Sequence, residues 1–259
     1  MEAEVNSTRW RQARQSERES EAMRPLEMPM RSLPLSITLP AVNATAIRQE
    51  IIDEFLWTWS HYKELALGFD ELEPLSGTPN NYMNMMLMMV ESLDTLYLMS
   101  ELDEFSEAAR YIEKNLDFDK AMTFSFFEIT IRILGGLLSS ASLSGRPGLL
   151  AKAIDIGERL YRGIDAASGF PCRQINLSTS SCSKDCIVNL AEVGTFQLEF
   201  FALSDLTGDP KFKDAARRAY LQIRKAGGND NLLPFMNILN VEEPKGAGGE
   251  ASMGGGADS

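Results

Sequence analysis

The feature that most constrains this chain is an internal repeat. The segments SELDEFSEAARYIEKNL from Ser100, SGRPGLLAKAIDIGERL from Ser144 and TGDPKFKDAARRAYLQI from Thr207 align over their whole length without a gap. Each opens with Ser or Thr, a side chain that caps helix N-termini well. Two carry proline three places on, near the helix start. Apolar residues then fall at steps of four, three and four: Phe105, Ala109, Ile112 and Leu116; Leu149, Ala153, Ile156 and Leu160; Phe212, Ala216, Ala219 and Ile223. That spacing is one face of an amphipathic helix, written three times.

A more apolar helix precedes each copy, over roughly 82–99, 124–142 and 188–204, and another stands in front over about 44–67. The unit is therefore a helical hairpin, a buried inner helix followed by an amphipathic outer one. Strand signal is weak, and the expected fold class is all-α. Hairpins of this kind stack side by side, as an open solenoid or as a closed double ring. Only the ring buries its inner helices on all sides.

The inner helices carry few charges, and these are mostly carboxylates near the middle. Glu91 and Asp94 are three apart, Glu128 and Arg132 four apart, Glu192 and Glu199 seven apart, so each pair shares a helix face. Turned to a common axis, they would line an acidic pocket with a few polar groups in an apolar wall. Each pair also has a plainer reading. Glu128 with Arg132 is an ion pair that locks a buried helix, Glu91 and Asp94 form a solvated edge, and Glu192 or Glu199 alone is structural. Recurrence on three successive helices favours the pocket, because a buried carboxylate without a partner is costly. Paired carboxylates across a pocket suit glycoside hydrolysis, one giving a proton to the leaving oxygen and the other activating water. Arg132 would then orient Glu128 or hold a sugar hydroxyl. The Met-rich run from Tyr82 to Val90 reads as core filler.

Composition narrows the function classes. A formal net charge of −12 argues against nucleic acid as a partner and is compatible with neutral sugars or cations. The single histidine, His61, excludes a His-rich metal site. Cys182 and Cys186 form a lone CxxxC pair, which favours a local disulfide or free thiols over zinc; with Cys172 the count is odd, so at least one thiol is unpaired within the chain. Asn6, Asn43 and Asn176 head N-x-S/T sequons. No charge-free apolar run reaches the ~18 residues of a membrane span. The N-terminus lacks the apolar core of a secretory signal. Residues 1–40 are rich in Arg, Glu and Ser and then proline-spaced, as in a disordered or adaptor segment ahead of a domain over 41–259.

Six blocks now follow in order: ESLDTLYLM (91–99), NLDFD (115–119), FFEITIRILGGLLSSASLSG (126–145), AIDIGERL (153–160), SGFPCRQINL (168–177) and AEVGTFQLEFFALSDLTGDP (191–210). In sequence and approximate spacing they resemble the class I α-1,2-mannosidases, glycoside hydrolase family 47. The resemblance runs from about residue 45 to residue 259. It implies an (αα)7 barrel, of which this chain is an incomplete part, an αα-hairpin toroid truncated at its C-terminal side. It implies inverting removal of α-1,2-linked mannose from high-mannose N-glycans of glycoproteins, bound Ca2+, and residence in the endoplasmic reticulum or Golgi. By the same resemblance Glu128 is the proton donor, acting directly or through a water, and Arg132 is the arginine one turn later. Glu192 is a substrate-side glutamate, Asp258 an active-site aspartate, and Glu91 and Asp94 lie on the substrate side.

Three departures go with it. Glu91 stands where the family usually has Asp. The Met-rich run replaces a stretch that usually carries Gly and Thr. The family's candidate base, its calcium-binding threonine and its usual disulfide find no match here, so the main calcium ligand is expected beyond Ser259. The resulting expectation is that the isolated chain has little or no hydrolase activity and associates through an exposed inner-helix surface. The rival expectation is a non-catalytic high-mannose glycan-binding or glycoprotein-sorting module.

Overall fold

The computed structural model describes residues 43–164, 169–183, 187–226, 237–239 and 245–247. The expected N-terminal segment 1–40 and Asp258 lie outside the described residues. Helix α1 (Ala44–Ala66) is followed by a short hairpin of β1 (Glu71–Glu73) and β2 (Thr78–Asn80). Three helical hairpins come next. The first joins inner α2 (Leu87–Leu98) to outer α3 (Leu102–Asn115). The second joins inner α4 (Phe126–Ser144) to outer α5 (Pro147–Arg162). In the third, a short α6 (Leu190–Gly194) leads into inner α7 (Gln197–Thr207), paired with outer α8 (Pro210–Ala226).

The repeat is therefore real in three dimensions. Every apolar position it marks is buried except Ile223, which packs at the core edge. The outer helices meet these faces with the inner ones: Val90, Leu93 and Leu96 of α2, Ile133 and Leu137 of α4, Phe200 and Leu203 of α7 belong to the same cluster. Two glycines permit close approach to the inner helices. A Cβ on Gly136 would lie 3.0 Å from Val90 of α2, and one on Gly157 would lie 2.3 Å from Leu203 of α7. Charged pairs then tie successive outer helices together, Lys63 to Glu104, Arg146 to Glu113 and Lys211 to Glu158.

Several expectations are corrected in detail. The Ser or Thr opening each repeat does not cap the outer helix; Glu101 and Arg146 hold that place for α3 and α5, with no side-chain cap bond. Ser144 and Thr207 instead finish the inner helix. Each hydroxyl donates to the carbonyl four residues back (Ser140, 2.6 Å; Leu203, 2.7 Å) and accepts the N–H two residues on (Arg146, 3.3 Å; Asp209, 3.2 Å). The intervening Gly145 and Gly208 take φ of 68° and 73°, which a side chain would strain.

The first inner helix starts at Leu87 rather than near Tyr82. Asp70 is the cause. It is 1% exposed, and its carboxylate accepts backbone N–H groups from Met83, Asn84 (2.6 Å), Met85 (2.8 Å) and Leu87 (3.3 Å). This clamp holds the Met-rich run out of the helix and turns Asn84 and Met86 into left-handed geometry, φ 57° and 56°. Those are conformations in which glycine is at ease.

The last inner helix also starts late and is broken. Asn189 makes a capping box with Glu192, and the chain unwinds at Thr195 and Phe196 between α6 and α7. Short antiparallel strands join the helices: β3 (Thr123–Ser125), β4 (Gln174–Asn176) and β5 (Ser181–Cys182) form one sheet. A second contains β6 (Ile187–Asn189), β7 (Asn237–Leu239) and β8 (Lys245–Ala247).

Cys182 pairs with Cys172, not with Cys186, across a Cα separation of 5.7 Å that suits a disulfide. Among the described residues, Phe126–Ser144 alone has the length and hydropathy to cross a membrane. Half of it is buried in the core described above, as befits an inner helix.

Candidate active site

The site starts from α4. Ser125 caps its first turn by accepting the Glu128 N–H, which fixes Glu128 there. The next six residues, Ile129–Leu134, form a π turn. Such wide turns are rare and recur at functional sites. Arg132 lies within it and reaches back to Glu128, Nε to Oε2 at 2.6 Å. Its other arm reaches α2, Nη1 to Glu91 Oε1 at 3.0 Å. One guanidinium thus bridges carboxylates from two inner helices.

These groups are not a buried lock. The side chains of Glu128, Arg132 and Glu91 are 37%, 39% and 38% exposed, so solvent or a ligand reaches all three. The Arg132 guanidinium is held above its ordinary range, first by its bond to Glu128 and then by the charge of Glu91. The cluster carries one positive and two negative side chains, and it is an acidic surface with a fixed centre.

Asp94, one turn beyond Glu91 on α2, accepts the Ser139 hydroxyl of α4 at 2.8 Å. It joins the same two helices and extends the polar seam. Tyr82 is a group that sequence reasoning passed over as filler. It is 48% exposed, and its phenol is pushed up by partial burial while the charge of Arg132 pulls it down, so it lies in the field of the cluster. Only the loop geometry set by Asp70 makes it a surface ring rather than a helix core residue.

Glu192 stands apart from this cluster in its contacts. It completes the capping box with Asn189 and accepts Arg173 Nε at 3.2 Å. Nor does it share a continuous helix face with Glu199, because the chain breaks between α6 and α7. Glu199 lies instead in a groove of about 470 Å3 between α4 and α7, with Gly135, Leu138, Ser139, Leu198 and Ala202 among its walls. Its Oε2 is buried with no hydrogen-bond partner among the described residues, and burial raises its carboxyl above the usual range.

Among the described residues no group of three or more His, Cys, Asp or Glu side chains is placed to hold a metal ion. The described residues therefore do not fit a calcium ion.

The model of glycosyl hydrolase family 47 matches residues 54–259. The chain belongs to this family. Among similar proteins, mannosyl-oligosaccharide 1,2-alpha-mannosidase MNS1 of Arabidopsis thaliana is 40% identical over 73% of this chain. The endoplasmic reticulum mannosyl-oligosaccharide 1,2-alpha-mannosidase of Rattus norvegicus is 39% identical over 72% of it. The chain spans only 35% and 29% of the lengths of these two relatives. The solved alpha-1,2-mannosidase from Trichoderma reesei superposes with a TM-score of 0.76 at 24% identity, covering 83% of this chain and 48% of that one. That likeness establishes the fold, a partial α/α barrel of the family 47 type.

Proposed function

We propose that this family 47 chain contributes the acid side of an inverting α-1,2-mannosidase site that trims high-mannose N-glycans in the secretory pathway, with the mannosidase-like domain over 41–259. The observation that carries it is the Arg132 bridge between Glu128 and Glu91, solvent-accessible on a π turn beside Tyr82. The relatives' printed names supply the substrate class, and the rat relative's name supplies the compartment.

In this reading Glu128 delivers the proton to the leaving glycosidic oxygen, directly or through a water. Arg132 holds it in place and can donate to a sugar hydroxyl with an arm it turns from Glu91. Tyr82 offers its ring to the apolar face of a sugar, and Asp94 fixes the seam between α2 and α4. Glu192 acts at one remove, holding the entry to α6. Asp258 is assigned by resemblance alone. The calcium of the family belongs, in this proposal, with residues outside those described.

Inversion needs a second carboxyl across the substrate, roughly 6.5–9.5 Å from the acid, with room for water. Glu91 is bound to the same guanidinium as Glu128 and is poorly placed for that task. Neither carboxylate tied to Arg132 can serve as the base, and we expect the 259 residues tested alone to release little or no mannose. Mannose release from a high-mannose oligosaccharide tests this. Turnover comparable with a full-length relative, lost in Glu128→Gln, would refute the half-site account.

A second reading, a non-catalytic glycan-binding module, is favoured by the same tight bond that occupies Glu128. The two part company when the C-terminal half of a relative is appended. Only the first gains release that depends on Glu128.

A further inference from the structure

Asn176 ends β4 and heads the sequon Asn176-Leu177-Ser178. Along this strand Ile175 is buried opposite Phe124, while Asn176 is paired with Thr123 and Ser181, both exposed. Alternation puts the Asn176 side chain on the solvent face. Its Oδ1 accepts three bonds, from the Ser178 N–H (3.1 Å), the Ser178 hydroxyl (3.0 Å) and the Thr179 N–H (3.1 Å). Its Nδ2 donates to nothing among the described residues. The sequon hydroxyl thus sits on the acceptor amide, at an exposed turn, with the nitrogen free.

The disulfide supplies an independent observation. Cys172 and Cys182 bracket this sequon and close the hairpin around it. Disulfides form and persist in oxidising compartments, the same setting in which Asn-x-Ser/Thr is glycosylated. Sequons recur by chance, and Asn43 heads another just before α1, where it makes contacts of its own. Asn176 differs in having a free nitrogen, a folded hydroxyl and an oxidised bracket together.

We propose that Asn176 is an N-glycosylation site of this protein. In the transfer, Nδ2 attacks the anomeric carbon of a polyprenyl-diphosphate-linked oligosaccharide. A carbon–nitrogen bond forms, the carbon–oxygen bond to the diphosphate breaks, and the lipid diphosphate leaves. The proton lost from the amide goes to a base of the transferase. The glycan then projects from the β4–β5 turn on the face shared with Thr123, three residues before the start of α4. The proposal rests on the hairpin and its disulfide, not on the mannosidase reading, so the two can fail separately.

The test expresses the full chain behind a secretory leader in eukaryotic cells. The chain recovered from the secretory pathway is treated with peptide N-glycosidase. Expected are a discrete mobility shift and conversion of Asn176 to aspartate in the released peptide. Both readouts at this position should vanish in Asn176→Gln and in Ser178→Ala and survive in Ser178→Thr. The Thr variant separates loss of the acceptor chemistry from loss of the turn. An unmodified Asn176 in recovered chain, or modification there that persists in Ser178→Ala at the wild-type level, overturns the proposal.

Discussion

Replacing Asp70 by Asn should destabilise the fold more than any single change at the site. The carboxylate is 1% exposed and accepts four backbone N–H groups, two on each oxygen. In Asn one oxygen becomes an NH2. Two of the four donors then face another donor in a buried position. Hydrogen bonds to a charged group contribute about 1.5–3 kcal/mol each. The two remaining bonds also lose their charged acceptor. Because the four act as a unit they do not add fully, and a loss of about 3–5 kcal/mol is expected. A native domain has only about 5–15 kcal/mol in total, so the effect is large. Urea unfolding at equilibrium reads it as a lower midpoint with an unchanged slope. A loss below about 1 kcal/mol would mean that the clamp does not hold the start of α2. The site should feel the change too, because Glu91 lies on the second turn of that helix.

Other expectations follow from the same geometry. A double-mutant cycle between Glu91→Gln and Arg132→Gln should give a coupling of about 0.5–1 kcal/mol that shrinks with added salt, since the pair is partly exposed; a coupling of zero at low salt would remove the bridge from the account. For Glu199, burial raises the carboxyl in the folded state. A raised carboxyl binds its proton more readily folded than unfolded, so its cost is absent below the unfolded range and grows as pH rises through and above it. Glu199→Gln should therefore stabilise the protein at neutral pH and leave it unchanged in acid, measured by urea midpoints across pH; equal effects at both ends would contradict the assignment. Leu198 on α7 is 78% exposed and lines one groove with Leu206, itself 40% exposed. Light scattering should show concentration-dependent association that Leu198→Lys weakens, and an unchanged profile would place the contact elsewhere.

Much of this fold was legible in the sequence because its repeat is a matter of periodicity. The apolar steps from Phe105, Leu149 and Phe212 survive any error in helix ends. What periodicity missed was set by hydrogen bonds between distant residues. Nothing in YMNMMLMMV reveals that Asp70, more than ten residues upstream, will hold it open, and so Tyr82 read as core rather than surface. Likewise the capping box at Asn189 and the unwinding at Thr195 turn one expected helix into two, and separate Glu192 from Glu199. Glu128 and Arg132 were legible as a pair by their spacing. That Glu91 would share the same guanidinium needed the packing of α2 on α4, for which Gly136 is the local cause. Cys172 and Cys182 became partners through the β4–β5 hairpin, whose short strands leave little trace in composition.

Binding of an α-1,2-linked mannobiose to the purified chain, followed by calorimetry, tests the central claim most directly. The account predicts measurable binding that weakens at least about tenfold, or ~1.4 kcal/mol, in Arg132→Ala and in Tyr82→Ala, while a change at exposed Asp53 on α1 leaves it intact. Binding that is indifferent to Arg132 and Tyr82, or that is absent in a chain shown to be folded, would contradict it.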